Sequence, residues 1–157
     1  GLGGGSADAA FMLKALNDLF SLNLSINQLI NYAQQLGSDC AFFIANNAAY
    51  AFDKGDELEE IVLDLSDYSI KIEYPDIHIS TAEAYGGITP KQTEINLKEL
   101  IKKPITDWQN NIKNDFEDSI FPNHSSIKDL KEKMIKDGAL FASMTGSGSA
   151  VFGLFKK

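Results

Sequence analysis

Arginine is missing from this sequence. All 14 basic residues are lysines, set against 22 acidic ones, for a formal charge of −8. A bidentate guanidinium clamp on phosphate is therefore excluded within the chain. Any bound anion must be met by backbone N–H groups, helix ends or lysine. The acidic balance also argues against nucleic-acid or membrane-surface binding, which needs a basic patch. The one cysteine, Cys40, excludes an internal disulfide and reads as a small buried hydrophobe. His78 and His124 lie far apart, no metal-ligand spacing surrounds them, and both read as structural. No apolar run approaches a membrane span, and no signal peptide opens the chain. The expectation is a cytoplasmic protein with no membrane, nucleic-acid or resident-metal partner. The first residue is Gly rather than Met, which reads as part of a longer product.

What is present is 157 residues, 44% of them apolar, enough for one domain or two smaller pieces of a larger one. The densest glycine stretch opens the chain: Gly1-Leu2-Gly3-Gly4-Gly5-Ser6-Ala7-Asp8-Ala9-Ala10. Ala9, Met12, Leu13, Leu16, Leu19 and Phe20 then recur at helical spacing, which predicts a helix over 7–20 with Ser6 able to cap it. Unpaired N–H groups and the positive end of the helix dipole would converge there, as at an anion site. The stretch lacks the Gly-Lys-Ser/Thr of a Walker A loop, and no strand precedes it as in a dinucleotide fingerprint. On its own residues it is either a phosphate-binding loop or a glycine-rich linker.

Ser25 predicts the cap of a second helix carrying Ile26, Leu29, Ile30, Ala33 and Leu36, ended by Gly37. Ser38 opens a further short helix with Asp39 in its first turn, where Asp39 is either a helix-start carboxylate or a catalyst. A hairpin follows, with strands over 48–52 and 59–65. Residues 68–74 alternate as a half-buried strand that Pro75 ends. Ser80 or Thr81 caps a short helix broken at Gly86-Gly87, and Tyr85 within it either fills the core or stacks on a flat ligand. A polar loop leads to a helix capped by Asn96. Trp108 and Phe116 read as core. Helices are expected over 114–121 and, capped by Ser125 or Ser126, up to Gly138. Two strands, 139–144 and 150–155, flank the turn Thr145-Gly146-Ser147-Gly148-Ser149, whose N–H groups and hydroxyls could meet an anion.

In this order the pieces resemble one superfamily, the small-molecule kinases named for galactokinase, homoserine kinase, mevalonate kinase and phosphomevalonate kinase. The opening stretch resembles their second motif. Thr145-Gly146-Ser147-Gly148-Ser149-Ala150-Val151-Phe152 resembles their third. Gly37-Ser38-Asp39-Cys40-Ala41-Phe42-Phe43-Ile44 and Asn114-Asp115-Phe116-Glu117 are most similar to the branch that phosphorylates a cytidine-diphosphate-linked methylerythritol. Ala41 stands where that branch usually has Pro, and Ser80 and Ala82 replace prolines common beside Thr81.

The resemblance implies an α+β fold, with part of an ATP-binding domain at 1–55 and a ferredoxin-like domain at 56–157. It implies ATP and Mg²⁺ as cofactors. The substrate would be the cytidine-diphosphate-linked methylerythritol, phosphorylated on its 2-hydroxyl for isoprenoid precursor synthesis, by a monomer or homodimer. Gly1, Leu2, Gly3, Gly4, Gly5, Ser6 and Ala7 would cradle the ATP phosphates. Asp39 would be the catalytic base. Thr81, Tyr85, Gly146, Ser147 and Gly148 would line the substrate side, with an aromatic stacked on cytosine. No metal ligand is assigned. The family's first motif, an early strand carrying a lysine, is not in this chain, nor is the helix and strand usual after the third motif. The chain alone is therefore expected to be inactive. The alternatives are a sister kinase for homoserine, mevalonate or a sugar, and a non-catalytic phosphate-binding module.

Overall fold

The computed structural model describes residues 1–89 and 96–157. The chain is α+β and divides into two compact units, Gly3–Val62 and Gly1–Leu2 with Leu63–Lys157. The division after Val62 leaves the hydrogen-bonded hairpin whole within one unit. Gly1 and Leu2 leave the first unit because the Gly1 carbonyl is bonded to Thr145.

In the first unit, helix α1 (Gly4–Leu19) starts three residues before the expected 7. Gly3 makes this early start, with φ 68° and ψ 21° at the N-cap, a left-handed geometry that costs glycine little. Ser6 consequently sits in the first turn and caps nothing. Helix α2 (Ile26–Leu36) begins with a reciprocal capping box. The Ser25 N–H donates to Gln28 Oε1 at 2.9 Å, and the Gln28 N–H donates back to Ser25 Oγ at 3.4 Å. Helix α3 (Cys40–Ala45) ends at Asn46, in left-handed geometry with φ 55°.

The three helices meet around Ala10, Leu29, Ala33, Cys40 and Ile44, all buried, as expected of Cys40. Alanines on α1 and α2 bring the backbones close. Lys14 Nζ donates to the Ile44 carbonyl at 3.3 Å, meeting an acceptor in the last turn of α3. Strands β1 (Ala49–Phe52) and β2 (Glu57–Glu60) form the expected hairpin. Phe52 pairs with Glu57 straight across the turn, so β2 starts earlier and ends sooner than the expected 59–65.

The second unit contains β3 (Tyr68–Glu73), α4 (Thr81–Gly86), α5 (Leu97–Leu100) and a 3₁₀ turn at Ile105–Asp107. It continues with α6 (Phe116–Ile120), α7 (Ser125–Lys136), β4 (Phe141–Met144) and β5 (Val151–Lys156). The sheet is antiparallel in the order β3-β5-β4, with Ile72 opposite Phe152 and Met144 opposite Val151. Successive side chains point to opposite faces, which makes two cores. Ala142, Met144 and Val151 pack with Ile127 and Met134 of α7. Phe141 and Leu154 pack with Ile105 and Trp108, so Trp108 is core as expected. Part of the expected polar loop before Asn96 lies outside the described residues. Among the described residues no helix is long and apolar enough to cross a membrane.

Candidate functional site

The first unit offers an open helix N-terminus. In α1 the first intrahelical bond runs from the Ala7 N–H to the Gly3 carbonyl at 2.9 Å. The N–H groups of Gly4, Gly5 and Ser6 have no acceptor among the described residues. No side chain caps them, and no acid stands in the first turn. Asp8 falls beyond the first turn, because the helix already starts at Gly4. A Cβ at Gly4 or Gly5 would meet nothing within 4 Å, so a ligand can reach the backbone. Donors, positive dipole and access together suit phosphate. At Gly3 an added Cβ would come within about 3.0 Å of the Phe43 ring, which fixes the α1 start against α3.

Asp39 stands at the N-cap of α3 with φ −77° and ψ −13°, and its side chain makes no capping bond. It is exposed and has no ion-pair partner among the described residues. A carboxylate at an N-cap usually bonds the first-turn N–H groups. This one does not, which leaves both oxygens available. Gly3, Gly4, Gly5, Ser6, Ala7 and Asp39 thus lie on two helices that pack together.

The second unit holds the glycine turn of residues 145–149. Its left-handed Gly148, φ 87°, has Met144 Sδ and Ile79 Cδ1 within 2.9 Å of where a Cβ would stand, so another residue would strain the backbone and displace both side chains. The Gly148 N–H donates to the Thr145 carbonyl at 3.0 Å, and the Thr145 N–H to the Ala150 carbonyl at 2.9 Å. Ser149, buried, ties the far end down by donating to the Ile77 carbonyl at 2.6 Å. Gly1 lies against this turn, with its carbonyl accepting from Thr145 Oγ1 at 2.8 Å. A Cβ on Gly1 would stand 2.6 Å from the Thr145 carbonyl oxygen and 2.7 Å from that of Gly148. The structure therefore brings Gly1 together with Gly146 and Gly148.

Two residues without an assigned role in the sequence hold the turn. The Asn114 amide donates to the carbonyls of Met144 and Gly146, each at 2.8 Å. Glu117 is buried and accepts from the Met144 N–H at 2.9 Å and from Ser143 Oγ at 3.2 Å. Its second oxygen meets Lys131 Nζ at 2.5 Å. The signal for both was the Asn114-Asp115-Phe116-Glu117 motif, and Glu117, once buried, needs the partners it finds. Beside them Lys113 is held above the usual lysine range by its hydrogen bond to Asp118.

Thr81 and Tyr85 sit on α4, both exposed. Tyr85 does not fill the core: it is 64% exposed and sets its ring edge-on to Phe116, centroids 5.0 Å apart. α4 is held to α6 by Ser119 Oγ, which lies 3.4 Å from the Ala84 carbonyl. It is also held to the start of α7 by Glu83 Oε1, 2.7 Å from His124 Nε2. His124 is the N-cap position of α7, in place of the expected Ser125 or Ser126, and turns its ring to Glu83 rather than to the helix. Among the described residues no three His, Cys, Asp or Glu side chains cluster as a metal site.

Comparison with known proteins places these features in a family. The model for the GHMP kinases N terminal domain matches residues 1–47, and that for GHMP kinases C terminal matches 96–157. A 4-diphosphocytidyl-2-C-methyl-D-erythritol kinase of Bacteroides thetaiotaomicron is 51% identical over 156 residues, 99% of this chain and 57% of that protein. One of the same name from Parabacteroides distasonis is 47% identical over 100% of this chain and 58% of its own length. The chain thus spans less than two thirds of the curated relatives it matches. The crystal structure of a 4-(cytidine 5'-diphospho)-2C-methyl-D-erythritol kinase superposes with a TM-score of 0.82 at 27% identity, covering 97% of this chain and 56% of that one. A homoserine kinase from Cytophaga hutchinsonii shares the fold, with a TM-score of 0.66 at 16% identity over 90% of this chain and 52% of its own.

Proposed function

The chain belongs to the GHMP kinases, and on that premise we propose that the protein carrying it phosphorylates the 2-hydroxyl of 4-diphosphocytidyl-2-C-methyl-D-erythritol with ATP. The observation that carries a phosphoryl-transfer reading is the open, acid-free start of α1 packed beside the helix that presents an unbonded Asp39. The shared name of the relatives supports the choice of acceptor.

Phosphoryl transfer asks a protein mainly for positioning and charge stabilisation. The N–H groups of Gly4, Gly5 and Ser6 suit the phosphates of a nucleotide, and no first-turn acid opposes them. ATP, when bound, supplies the γ-phosphoryl group and leaves as ADP. Asp39 takes the proton of the acceptor hydroxyl, a role open to a carboxylate that is not spent on capping. Gly146, Ser147 and Gly148 line the reacting end, and Gly1 braces their turn. Thr81 contacts the acceptor, and Tyr85 offers a free ring face to its cytosine. Mg²⁺ would accompany the nucleotide phosphates, and no step here is assigned to it.

The test is turnover by the full-length protein with ATP and Mg²⁺ against a panel of acceptors: the cytidyl compound, homoserine, mevalonate and a sugar. A higher kcat/KM for any acceptor without a cytidyl group would overturn the substrate assignment.

A further inference from the structure

We propose that Asn114 is a positioning residue for phosphoryl transfer, because it turns the Ser147 N–H away from itself and leaves that donor free for a phosphate. The inference rests on the kinase reading above, and it gives a role to a side chain that touches neither nucleotide nor acceptor.

The Asn114 amide has two N–H donors, and both are used on carbonyls at the entrance of the glycine turn: Met144 and Gly146, at 2.8 Å each. Its Oδ1 accepts from the Phe116 N–H at 3.0 Å, which locks the side chain to the start of α6. In a trans peptide the C=O and the following N–H point in opposite directions. Holding the Met144 carbonyl therefore sends the Thr145 N–H the other way, where it meets the Ala150 carbonyl at 2.9 Å. Holding the Gly146 carbonyl sends the Ser147 N–H the other way too. That N–H has no acceptor among the described residues, and the Ser147 hydroxyl has no partner there either. The same bonds keep two carbonyl oxygens, which would repel a phosphate, turned toward Asn114.

Glu117 completes the device from the next turn of chain. It accepts from the Met144 N–H at 2.9 Å, so Asn114 and Glu117 grip the acceptor and the donor of one residue. The Lys131 ammonium at 2.5 Å holds the Glu117 carboxylate in place. Ser149 anchors the other end of the turn. Gly146 and Gly148, at φ 53° and 87°, lack side chains to stiffen the turn, so its direction is set from outside.

Asn114→Asp in the full-length protein tests this. Aspartate keeps the shape and the acceptor for Phe116 but replaces two donors by a carboxylate facing two carbonyls. The expected result is a kcat lowered roughly ten- to hundredfold, below the loss from deleting an oxyanion donor outright, with the KM of the acceptor changed less than twofold. In the wild type, the Ser147 amide proton should move downfield in NMR spectra on addition of Mg²⁺ and a non-hydrolysable ATP analogue. In Asn114→Asp that shift should be lost. A wild-type kcat in a variant with a lower melting temperature would make Asn114 structural only and overturn the proposal. So would a wild-type Ser147 amide that ignores the nucleotide, a measurement that does not depend on the variant folding. Preference for an acceptor without a cytidyl group would instead overturn the substrate assignment, and the Asn114 comparison would then be made on the preferred acceptor.

Discussion

Thr145 donates its hydroxyl proton to the Gly1 carbonyl at 2.8 Å, across 144 positions of sequence. The two glycine motifs therefore meet at a bond in which one residue tolerates no side chain. In the full-length protein Gly1→Ala drives a methyl into two backbone carbonyls, and the KM for ATP should rise at least tenfold. Thr145→Val keeps the shape and removes one hydrogen bond of about 1 kcal/mol, so its KM for ATP should rise about fivefold. Steady-state kinetics on both variants check this. A wild-type KM for Gly1→Ala would show that the contact does not matter for nucleotide binding.

Asp39→Asn keeps the size of the side chain and removes its basicity. With no cap bond or ion pair to lose, folding should be little affected. The kcat should fall roughly 10²- to 10⁴-fold, the range of general-base contributions, while the KM values stay near wild type. A variant with near-wild-type kcat would remove Asp39 from the chemistry.

Tyr85 is solvent-facing on α4, with its ring T-shaped against Phe116. Tyr85→Leu should therefore leave the melting temperature unchanged. It should raise the KM of the cytidyl acceptor roughly tenfold, as expected for losing an aromatic stack on a base of about 1–3 kcal/mol. The KM for ATP is the internal control. Equal rises in both constants would argue against a stack on cytosine.

Glu117 and Lys131 form an ion pair with side chains 5% and 16% exposed. Glu117→Gln leaves a largely enclosed ammonium without its counter-charge, at a cost of roughly 2–4 kcal/mol, slightly discounted because Lys131 is not fully buried. Adding Lys131→Met should recover part of that loss, and urea denaturation of the two single variants and the double variant measures the coupling. Additive losses would mean that the pair acts as two independent residues.

Ser25→Ala removes half of the α2 capping box and should cost about 1 kcal/mol of stability. The kcat should not change, since α2 carries no candidate site residue. Thermal unfolding and turnover measured on the same preparation separate the two.

Much of the fold could be read in the sequence because it is written locally. Ser25 followed by Gln28, the apolar spacing of α2 and α7, and the alternation of β3 each state their element within a few residues. The errors came where a neighbour overrode local preference. Ser6 has the chemistry of a cap, but Gly3 reaches a left-handed geometry first and starts the helix early. Ser125 could have capped α7, but the position fell to His124, whose ring is drawn to Glu83, 41 residues earlier.

The sequence by itself determined that anion recognition would rely on backbone donors, helix ends or lysine, since it holds no arginine, and it displayed both glycine motifs and Asp39 as separate pieces. It could not say which backbone groups would be free, because that depends on what each carbonyl is bonded to. Only the tertiary structure decided that the Gly1 carbonyl would be taken by Thr145 and that of Gly146 by Asn114, 32 positions away. A trans peptide points its two polar groups in opposite directions, so the partner of a distant carbonyl sets where the next N–H is aimed.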